Sequence, residues 1–319
     1  MSLVDGAKTI IEQCLNVQDG EEVLVVNDGN DSDLIDALFE VLDDRDVEAT
    51  YIEYDEPENH GEEPPEHVAE AMKAADVVIA PTLKSLSHTE ARKEANKAGA
   101  RVATLPTVSK EIWNTSLQAD YDEVKRITEK VYGLLEDADE VRIETPSGTD
   151  LRFDVEIDTY HNDTGILHNS GDFGNLPAGE PNGYPANIEG TLVFDHFPFS
   201  PDAKKVEIKD GEVVALENKE GVETSELEKA FEDVPCSKKV AEFGFGTNPE
   251  ATIIGNTLQD EKVLGTVHIA LGDNCSYVPE GDERRNPCDI HWDSVCEKPT
   301  VWFDDKKILD EGEPVFMDE

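Results

Sequence analysis

Short apolar runs alternate with amphipathic stretches along the first third of the chain. Runs such as EEVLVVND and DVVIAPT have the length of buried strands, and the segments between them repeat apolar residues at helical spacing. Strands that alternate with helices predict a parallel sheet with helices on both faces. The predicted strands are 21–28, 49–54, 76–82 and 101–106, and the predicted helices are 32–42, 65–75, 87–98 and 120–136.

From residue 141 onward the pattern changes to short strands joined by tight turns. VRIETPSGTDLRFDVE is typical of a hairpin, and KVEIKDGEVVAL contains a turn of the Asp-Gly kind. These runs predict a mostly antiparallel sheet, with helices at 224–231 and 249–258. We therefore predict an α/β protein of two domains. Residues 1–138 form an N-terminal parallel-sheet α/β domain with its linking helix, and residues 139–319 form an α+β domain with mostly antiparallel sheet, which binds metal and carries catalysis.

Four motifs of the second domain carry side chains that bind divalent metals. GNLPAGE ends on Glu180, AEFGFG contains Glu242, GTVHIALG contains His268, and IHWD contains His291 and Asp293. Carboxylate oxygens and imidazole nitrogens are ligands of zinc, cobalt, manganese and ferrous iron. The last two residues are two positions apart, so both side chains point to the same face of an extended strand. The set predicts a metal site, which we interpret as catalytic.

Salt bridges are the alternative explanation for donors that lie in apolar runs. Burying Glu242 or His268 is costly without a partner, and Lys262 and Arg142 are available as partners. Cys288 is a further possible ligand, because thiolate binds zinc well. We prefer to regard it as an ordinary loop residue, because the carboxylates and imidazoles already fill a coordination sphere.

These motifs resemble the thermophilic-aminopeptidase family, the aminopeptidase T and S type of metallopeptidase. PTLKSLSHTEAR, GNLPAGE, AEFGFGTNPEA, LQDEKVLGTVHIALGDN and IHWDSV match in order and approximate spacing, and the resemblance is weakest before Pro81. It implies an enzyme that removes N-terminal residues from small peptides by a water activated between two ions of zinc, cobalt or manganese. The family's metal ligands fall here on Glu180, Glu242, His268, His291 and Asp293.

Within that two-metal site we expect one carboxylate to bridge the ions. Glu242 is the candidate bridge, with Glu180 and His268 completing one ion and His291 and Asp293 completing the other.

Proton transfer requires a further acid or base. The family has an acidic pair where this chain has Gly179 and Glu180, so one carboxylate is missing. Glu180 is nevertheless a catalytic candidate, and Glu261 in the DEK motif is another. A structural pair with Lys262 is the alternative for Glu261.

The first domain is expected to contribute one wall of the pocket. His88 in the SLSHT segment is the candidate catalytic residue there. The alternative is a capping role for this segment, in which Ser87 caps the helix and Glu90 stands three residues on.

Related proteins carry a second chemistry. The 2,5-dihydroxypyridine dioxygenases resemble these peptidases but hold one ferrous ion with two His and one carboxylate. In that alternative His268, His291 and Asp293 hold the iron, while Glu180 and His88 act on the hydroxyls of a dihydroxylated aromatic ring. A third possibility is a catalytically silent homologue that binds metal for stability alone.

The chain is strongly acidic, with 73 Asp and Glu against 27 Lys and Arg and a formal net charge of −46. Such charge opposes compaction through self-repulsion. In molar salt the Debye length falls to about 3 Å and the repulsion is screened. This composition predicts a halophilic protein. It excludes a nucleic-acid partner, because no basic face offsets phosphate repulsion.

Five cysteines are sparse for a chain of 319 residues, and we expect them to be thiols in a reducing cytoplasm rather than a disulfide framework. The N-terminus has no signal-peptide pattern, and no apolar stretch is long enough to span a membrane. We therefore expect a cytoplasmic protein without a membrane partner. We also expect a homodimer.

Overall fold

The computed structural model describes residues 2–318, which fall into two compact units. Unit 1 comprises the chain up to Arg126 together with Asp163–Gly179 and Asn248–Thr252. Unit 2 comprises Ile127–Asn162, Glu180–Thr247 and the chain from Ile253 onward. The predicted single boundary at 138/139 differs from this division, because two later segments of the chain belong to unit 1.

The strands, in chain order, are β1 (Glu22–Asn27), β2 (Glu48–Glu53), β3 (Val77–Ala80), β4 (Arg101–Thr104), β5 (Glu140–Glu144), β6 (Asp150–Val155), β7 (His161–Asp163), β8 (Phe173–Asn175), β9 (Glu180–Gly183), β10 (Pro185–Val193), β11 (Ala203–Lys209), β12 (Glu212–Asn218), β13 (Val240–Phe245), β14 (Val267–Gly272), β15 (His291–Cys296), β16 (Thr300–Phe303), β17 (Lys306–Asp310) and β18 (Glu313–Pro314). The α-helices are α1 (Leu3–Lys8), α2 (Ser32–Leu42), α3 (Glu66–Ala74), α4 (Glu90–Ala98), α5 (Lys110–Trp113), α6 (Tyr121–Glu136), α7 (Glu226–Asp233) and α8 (Thr257–Asp260). A π-helical segment covers Thr9–Cys14, and short 3-10 turns cover Ser116–Gln118, Ile157–Thr159, Pro235–Lys238 and Val315–Asp318.

Unit 1 contains a five-stranded parallel sheet with the strand order β2-β1-β3-β4-β8. Strands β3 and β4 are buried at every position, and β3 is accordingly a continuous apolar run. On one face, Val26 and Val78 belong to the same buried cluster as Val68 and Met72 of α3. The predicted parallel α/β architecture is confirmed, and β8 is an additional strand that its short length concealed.

Helix α4 begins later than its predicted start. Thr89 caps it by accepting a backbone N–H of the first turn, and Gly99 ends it with φ of 112°, a left-handed conformation that favours glycine. The alternative in which Ser87 caps this helix is therefore wrong. Ser87 is buried and instead hydrogen-bonds the side chains of Thr104 and Asn175, at 3.0 and 2.7 Å.

Unit 2 contains two sheets whose paired strands run antiparallel. An eight-stranded sheet has the order β12-β11-β10-β6-β5-β16-β17-β18, and a five-stranded sheet has the order β15-β14-β13-β9-β7. The predicted hairpin of β5 and β6 is present. Phe153 and Ile188 of the larger sheet share one buried cluster with Phe243 and Ile269 of the smaller sheet. The predicted antiparallel second region is confirmed.

The predicted helix over 249–258 is wrong, because only Thr257–Asp260 is helical there. The Asp260 carboxylate accepts the backbone N–H groups of Ile254 and Gly255, at 2.8 and 2.9 Å. A side chain thus satisfies donors that a helix would direct to its own carbonyls. The predicted helix at 224–231 is present as α7, shifted by two residues.

The cysteine prediction also requires correction. Cys236 and Cys288 form a disulfide, while Cys14, Cys275 and Cys296 remain thiols. Cys236 and Cys288 are 52 residues apart, which explains why spacing along the chain did not indicate that they pair. As expected, the helices of residues 2–318 include none with the length and apolar character needed to cross a bilayer.

Candidate metal centre

One face of the five-stranded sheet of unit 2 carries most of the predicted ligands. Strands β13 and β14 pair so that Gly244 lies opposite His268 and Glu242 lies opposite Ala270. Strand β15 pairs with the other edge of β14, so that Asp293 lies opposite Ala270 and in line with Glu242 across the three strands. Directly opposite residues of an antiparallel pair project to the same face. The three donor side chains therefore converge across neighbouring strands.

Small residues between the donors provide the space. A Cβ atom at Gly244 would lie 2.1 Å from the imidazole of His268, so only glycine fits there. Ala270 separates Glu242 from Asp293 in the same row. The Glu-x-Gly pattern of the AEFGFG motif therefore places a carboxylate and a gap on one face of β13.

Three groups of donors bring their ligand atoms within 4.8 Å of one another among residues 2–318. They are Glu180–Glu242–His268, Glu242–His291–Asp293 and Glu261–His268–Asp293. All five predicted ligands and the predicted catalytic Glu261 thus lie together, and Glu242 is shared by two groups. His88 belongs to unit 1 and has an exposed side chain in the turn before α4, so its catalytic role stays a prediction.

The distances between donors match those around a bound ion. His291 Nε2 lies 2.9 Å from Glu242 Oε2 and 3.5 Å from Asp293 Oδ1. His268 Nε2 lies 3.4 Å from Glu180 Oε2 and 3.5 Å from Glu242 Oε1. Two ligands that each stand about 2.0–2.2 Å from one ion are separated by about 3.0–3.5 Å. A divalent cation therefore fits between these atoms.

The burial of these groups supports the same conclusion. Glu180, Glu242 and His268 are 3%, 4% and 0% exposed. Glu180 Oε2 accepts no hydrogen bond within residues 2–318, and His268 Nδ1 has no hydrogen-bond partner there either. Buried polar atoms are rarely left without a hydrogen bond, and a buried carboxylate oxygen that lacks one is suited to bind a cation.

Lys262 occupies one side of the centre. Its ammonium, with a side chain 3% exposed, lies 2.5 Å from Glu180 Oε1 and 2.7 Å from Glu261 Oε1. The alternative in which Glu261 pairs with Lys262 is therefore present, and Lys262 also pairs with Glu180. Glu242 and His268, for which the salt-bridge alternative was made, lie 3.5 Å from each other. Arg142 does not take part, because it pairs with Glu144 on its own strand.

Asn182 and Tyr277 complete the centre, although the motifs did not single them out. The Asn182 amide donates to Glu180 and Glu242, each at 3.0 Å, and to the Tyr277 hydroxyl at 3.4 Å. The Tyr277 ring lies 5.4 Å from that of His161. The available signal for Asn182 was its position two residues after Glu180, which places both on one face of a strand.

Opposite charges shift the pKa values of the ionisable groups. Burial raises the pKa of Glu242, but hydrogen bonds to His268 and His291 outweigh burial and hold it well below its usual range. Burial lowers the pKa of His268, and Glu180 and Glu242 reverse that effect and raise it to about 9. Loss of water likewise lowers the pKa of His291, and Asp293 and Glu242 raise it well above its usual value. Both imidazoles are therefore protonated at neutral pH when no metal is bound.

The pKa of the Glu261 carboxyl group is shifted upward, in contrast to that of Glu242. Burial raises its pKa to about 8, against the lowering effect of Lys262 and with a further increase from Asp293. A carboxyl group that titrates near neutral pH is suited to exchange protons with a substrate.

The loop before β15 orients His291. The backbone carbonyl of Asp273 lies 2.9 Å from His291 Nδ1, which leaves Nε2 to face the centre. The Asp273 carboxylate accepts the backbone N–H groups of Cys275 and Cys288, both at 3.1 Å. Cys288 is not a metal ligand, because its sulfur is bonded to Cys236.

Similarity to known proteins extends over nearly the whole chain. Residues 2–316 match the family model described as 2,5-dihydroxypyridine 5,6-dioxygenase (NicX), and comparison with curated proteins finds no match. Among solved structures, the chain is similar to 2,5-dihydroxypyridine dioxygenase from Pseudomonas putida KT2440, at 18% identity over 99% of this chain and 98% of that chain, with a TM-score of 0.77. It is also similar to AmpT from Thermus thermophilus, at 17% identity over 98% of each chain, with a TM-score of 0.72.

The two matches show that this chain shares its fold with both proteins. The family match falls on the dioxygenase family, which the sequence motifs indicated only as the alternative to an aminopeptidase. This chain belongs to the 2,5-dihydroxypyridine 5,6-dioxygenase (NicX) family.

Proposed function

We propose that this protein is a dioxygenase that uses one non-haem ferrous ion to open a dihydroxylated aromatic ring of the dihydroxypyridine class. The family match over residues 2–316 carries the proposal. His268, His291 and Asp293 supply the two imidazoles and one carboxylate that mononuclear iron oxygenases use as ligands. Asp293 stands in one donor group with His268 and in another with His291, while none of the donor groups found among residues 2–318 contains both imidazoles.

A ferrous ion held by these residues would supply the redox chemistry that lets dioxygen react with the ring. The protein's own contribution is to orient the metal ligands and to neutralise the charge of neighbouring carboxylates. The Asp273 carbonyl holds His291 so that Nε2 faces the centre, and Lys262 offsets the charges of Glu180 and Glu261.

Proton transfer from the ring hydroxyls falls to Glu261 in this proposal. Its pKa of about 8 lies close to neutral pH, so its carboxyl group can accept a hydroxyl proton and return it. Lys262 donates to both carboxylates, and Glu180 is less suited because its Oε1 atom also accepts a hydrogen bond from Asn182. His88 stays a second candidate from unit 1.

The test is metal content and oxygen uptake of protein purified anaerobically with ferrous iron. With 2,5-dihydroxypyridine as the probe, we expect one iron per chain and one molecule of O₂ consumed per molecule of the probe that is converted. Asp293→Ala should abolish both. Asn218→Ala, which removes an Asn–Glu hydrogen bond elsewhere in unit 2, should change neither. Iron-loaded protein that consumes no oxygen with this compound or with dihydroxylated benzenes would contradict the proposal.

A two-metal aminopeptidase is the second candidate, because Glu242 is shared by two donor groups. A carboxylate common to two sets of ligands is how co-catalytic ions are bridged. Zinc, cobalt or manganese would then sit on Glu180 and His268 and on His291 and Asp293. Against this candidate, the Lys262 ammonium lies 2.5 Å from Glu180 Oε1 and offsets part of the negative charge that a second ion would need.

Glu242→Gln separates the two candidates, since glutamine keeps the shape of glutamate and removes its charge. A parent with two ions that falls to one or none, with loss of amine release from a chromogenic aminoacyl substrate, would establish the aminopeptidase. A parent with one iron and no hydrolysis of that substrate would exclude it. Metal per chain by mass spectrometry is the measurement for both proteins.

A further inference from the structure

Asn182 lies between the two buried carboxylates of the metal centre. Its Nδ2 atom is 3.0 Å from Glu180 Oε1 and 3.0 Å from Glu242 Oε1. It lies two residues after Glu180 on β9, so both side chains share one face of that strand. One neutral amide group therefore donates a hydrogen to each of two anions that would otherwise repel each other in a poorly solvated site.

These bonds determine which oxygens remain for a cation. Glu180 Oε1 also accepts from Lys262 at 2.5 Å, whereas Oε2 accepts no hydrogen bond from residues 2–318 and lies 3.4 Å from His268 Nε2. Glu242 likewise keeps Oε2 for the side facing His291 Nε2, at 2.9 Å. In both carboxylates the amide contacts Oε1; Glu180 Oε2 is left without a hydrogen bond within residues 2–318, and Glu242 Oε2 is left to face the imidazole of His291.

We infer that Asn182 is a positioning residue that holds Glu180 and Glu242 so that one oxygen of each faces the bound ion. The inference rests on the proposed function in one respect only, namely that a divalent ion binds at this centre. It further requires that an oxygen of Glu180 or Glu242 contacts this ion, in addition to the three ligands of the one-iron proposal. Outer groups that hydrogen-bond metal ligands commonly change metal affinity by about 10- to 100-fold.

Asn218 provides a matched control. It is half-buried in the same unit, its Nδ2 donates to Glu228 at 2.9 Å, and its Oδ1 has no hydrogen-bond partner within residues 2–318. The Asn182 Oδ1 is in the same situation. The two residues therefore differ in whether the carboxylates they contact belong to the metal centre.

The test titrates Co²⁺ into metal-free protein, because the visible absorption of Co²⁺ reports the geometry of its ligands. Asn182→Ala should weaken Co²⁺ binding by about 10- to 100-fold and alter the visible spectrum. Asn218→Ala should leave both as in the parent. Asn182→Asp has nearly the parent's shape but replaces the two donors by acceptors, so its spectrum should also differ from that of the parent.

The outcomes separate this inference from the proposed function. A parent that binds no Co²⁺ and no ferrous iron would overturn the metal centre itself and, with it, the inference. If the parent binds Co²⁺ and a folded Asn182 variant shows the same affinity and spectrum, only the positioning role is overturned. Far-UV circular dichroism establishes that each variant is folded, and Asn182→Asp serves as the test if Asn182→Ala does not fold.

Discussion

Unit 1 has buried polar side chains near the ends of its strands, and unit 2 has a cluster of them on one face of a sheet. The two regions differ in how these groups are hydrogen-bonded. In unit 1, the carboxylate of Asp28 follows β1 and accepts the backbone N–H groups of residues 83 and 84, at 2.6 and 2.8 Å. Ser87, Thr104 and Asn175 hydrogen-bond one another at the ends of neighbouring strands. Each of these side chains has a protein partner.

The cluster of unit 2 is different. Glu180 Oε2 and His268 Nδ1 are buried without hydrogen-bond partners in residues 2–318, and the closest imidazole–carboxylate distance for His268 is 3.4 Å. This cluster also contains several charges of both signs, whereas the cluster of unit 1 is mostly hydroxyl and amide groups.

The comparison shows how to tell a structural polar cluster from a ligand site. A buried polar group without a hydrogen bond loses about 1–3 kcal/mol, so a fold retains such groups where something else compensates. In unit 1 the protein itself provides the compensation. In unit 2 the donors lie at separations that suit a divalent cation, which would be the missing partner of Glu180 Oε2.

The largest expected effect is on metal binding. His291→Ala or Asp293→Ala removes a ligand, so affinity for ferrous iron or Co²⁺ should fall by more than about 100-fold, beyond the effect of outer groups. Ser87→Ala, in the cluster of unit 1, should leave metal affinity unchanged. Metal per chain after equilibrium dialysis is the measurement. Full occupancy in either ligand variant would show that IHWD is not part of the site.

Proton release should accompany binding in unit 2. His268, with a pKa of about 9, and His291, with a pKa well above its usual value, are protonated at pH 7 in the metal-free protein. A metal binds neutral imidazole, so about two protons should leave and affinity should rise with pH up to about 9. Calorimetry in buffers of different ionisation enthalpy measures the number. Metal binding without proton release would contradict the prediction that His268 and His291 are protonated in the metal-free protein.

The pairing of His268 with carboxylates also predicts how the stability of the metal-free protein depends on pH. Because the folded pKa of His268 lies above the ordinary value of 6.5, its pairing stabilises the fold fully below that pH. The contribution is lost as pH rises through about 9. Melts from pH 6 to 10 in a chelator should therefore show falling stability, and bound metal should reverse this trend. An unchanged pH profile in His268→Gln would contradict this origin.

Changes to the cluster of unit 1 should affect stability alone. Asp28→Asn removes one of the two acceptor oxygens for the N–H groups of residues 83 and 84. The free energy of unfolding should fall by about 1–3 kcal/mol, while metal affinity stays at the parent's value. Denaturant unfolding beside a Co²⁺ titration measures both. A loss of metal affinity would show that the two clusters are energetically coupled.

The smallest difference between the two regions is expected from salt, because screening of the net charge should stabilise both of them alike. The net charge of −46 predicts a melting temperature that rises from millimolar to molar potassium chloride as repulsion is screened. The increase should be nearly the same in the parent and in His291→Ala, because the charge is spread along the chain. A melting temperature that stays flat or falls would exclude a halophilic protein.

Local patterns in the sequence were sufficient for the architecture. Buried strands that alternate with amphipathic helices predicted the parallel sheet, because periodicity depends on neighbouring residues alone. The motifs likewise singled out carboxylates and imidazoles that the strands bring together, and their role as metal ligands stays a prediction. The helix at 249–258 was mispredicted, because the side chain of Asp260 takes up the backbone donors there.

The tertiary structure decided the contacts between residues that are distant in the chain. Asn182 reaches Glu242 across 60 positions, and Lys262 reaches Glu180 across 82. The disulfide joins cysteines 52 residues apart. Such pairings depend on how the strands of one sheet align, and no pattern of neighbouring residues encodes that alignment. The sequence by itself therefore determined the fold class and the chemical identity of the donors, while only the folded chain decided which carboxylate oxygens face the centre.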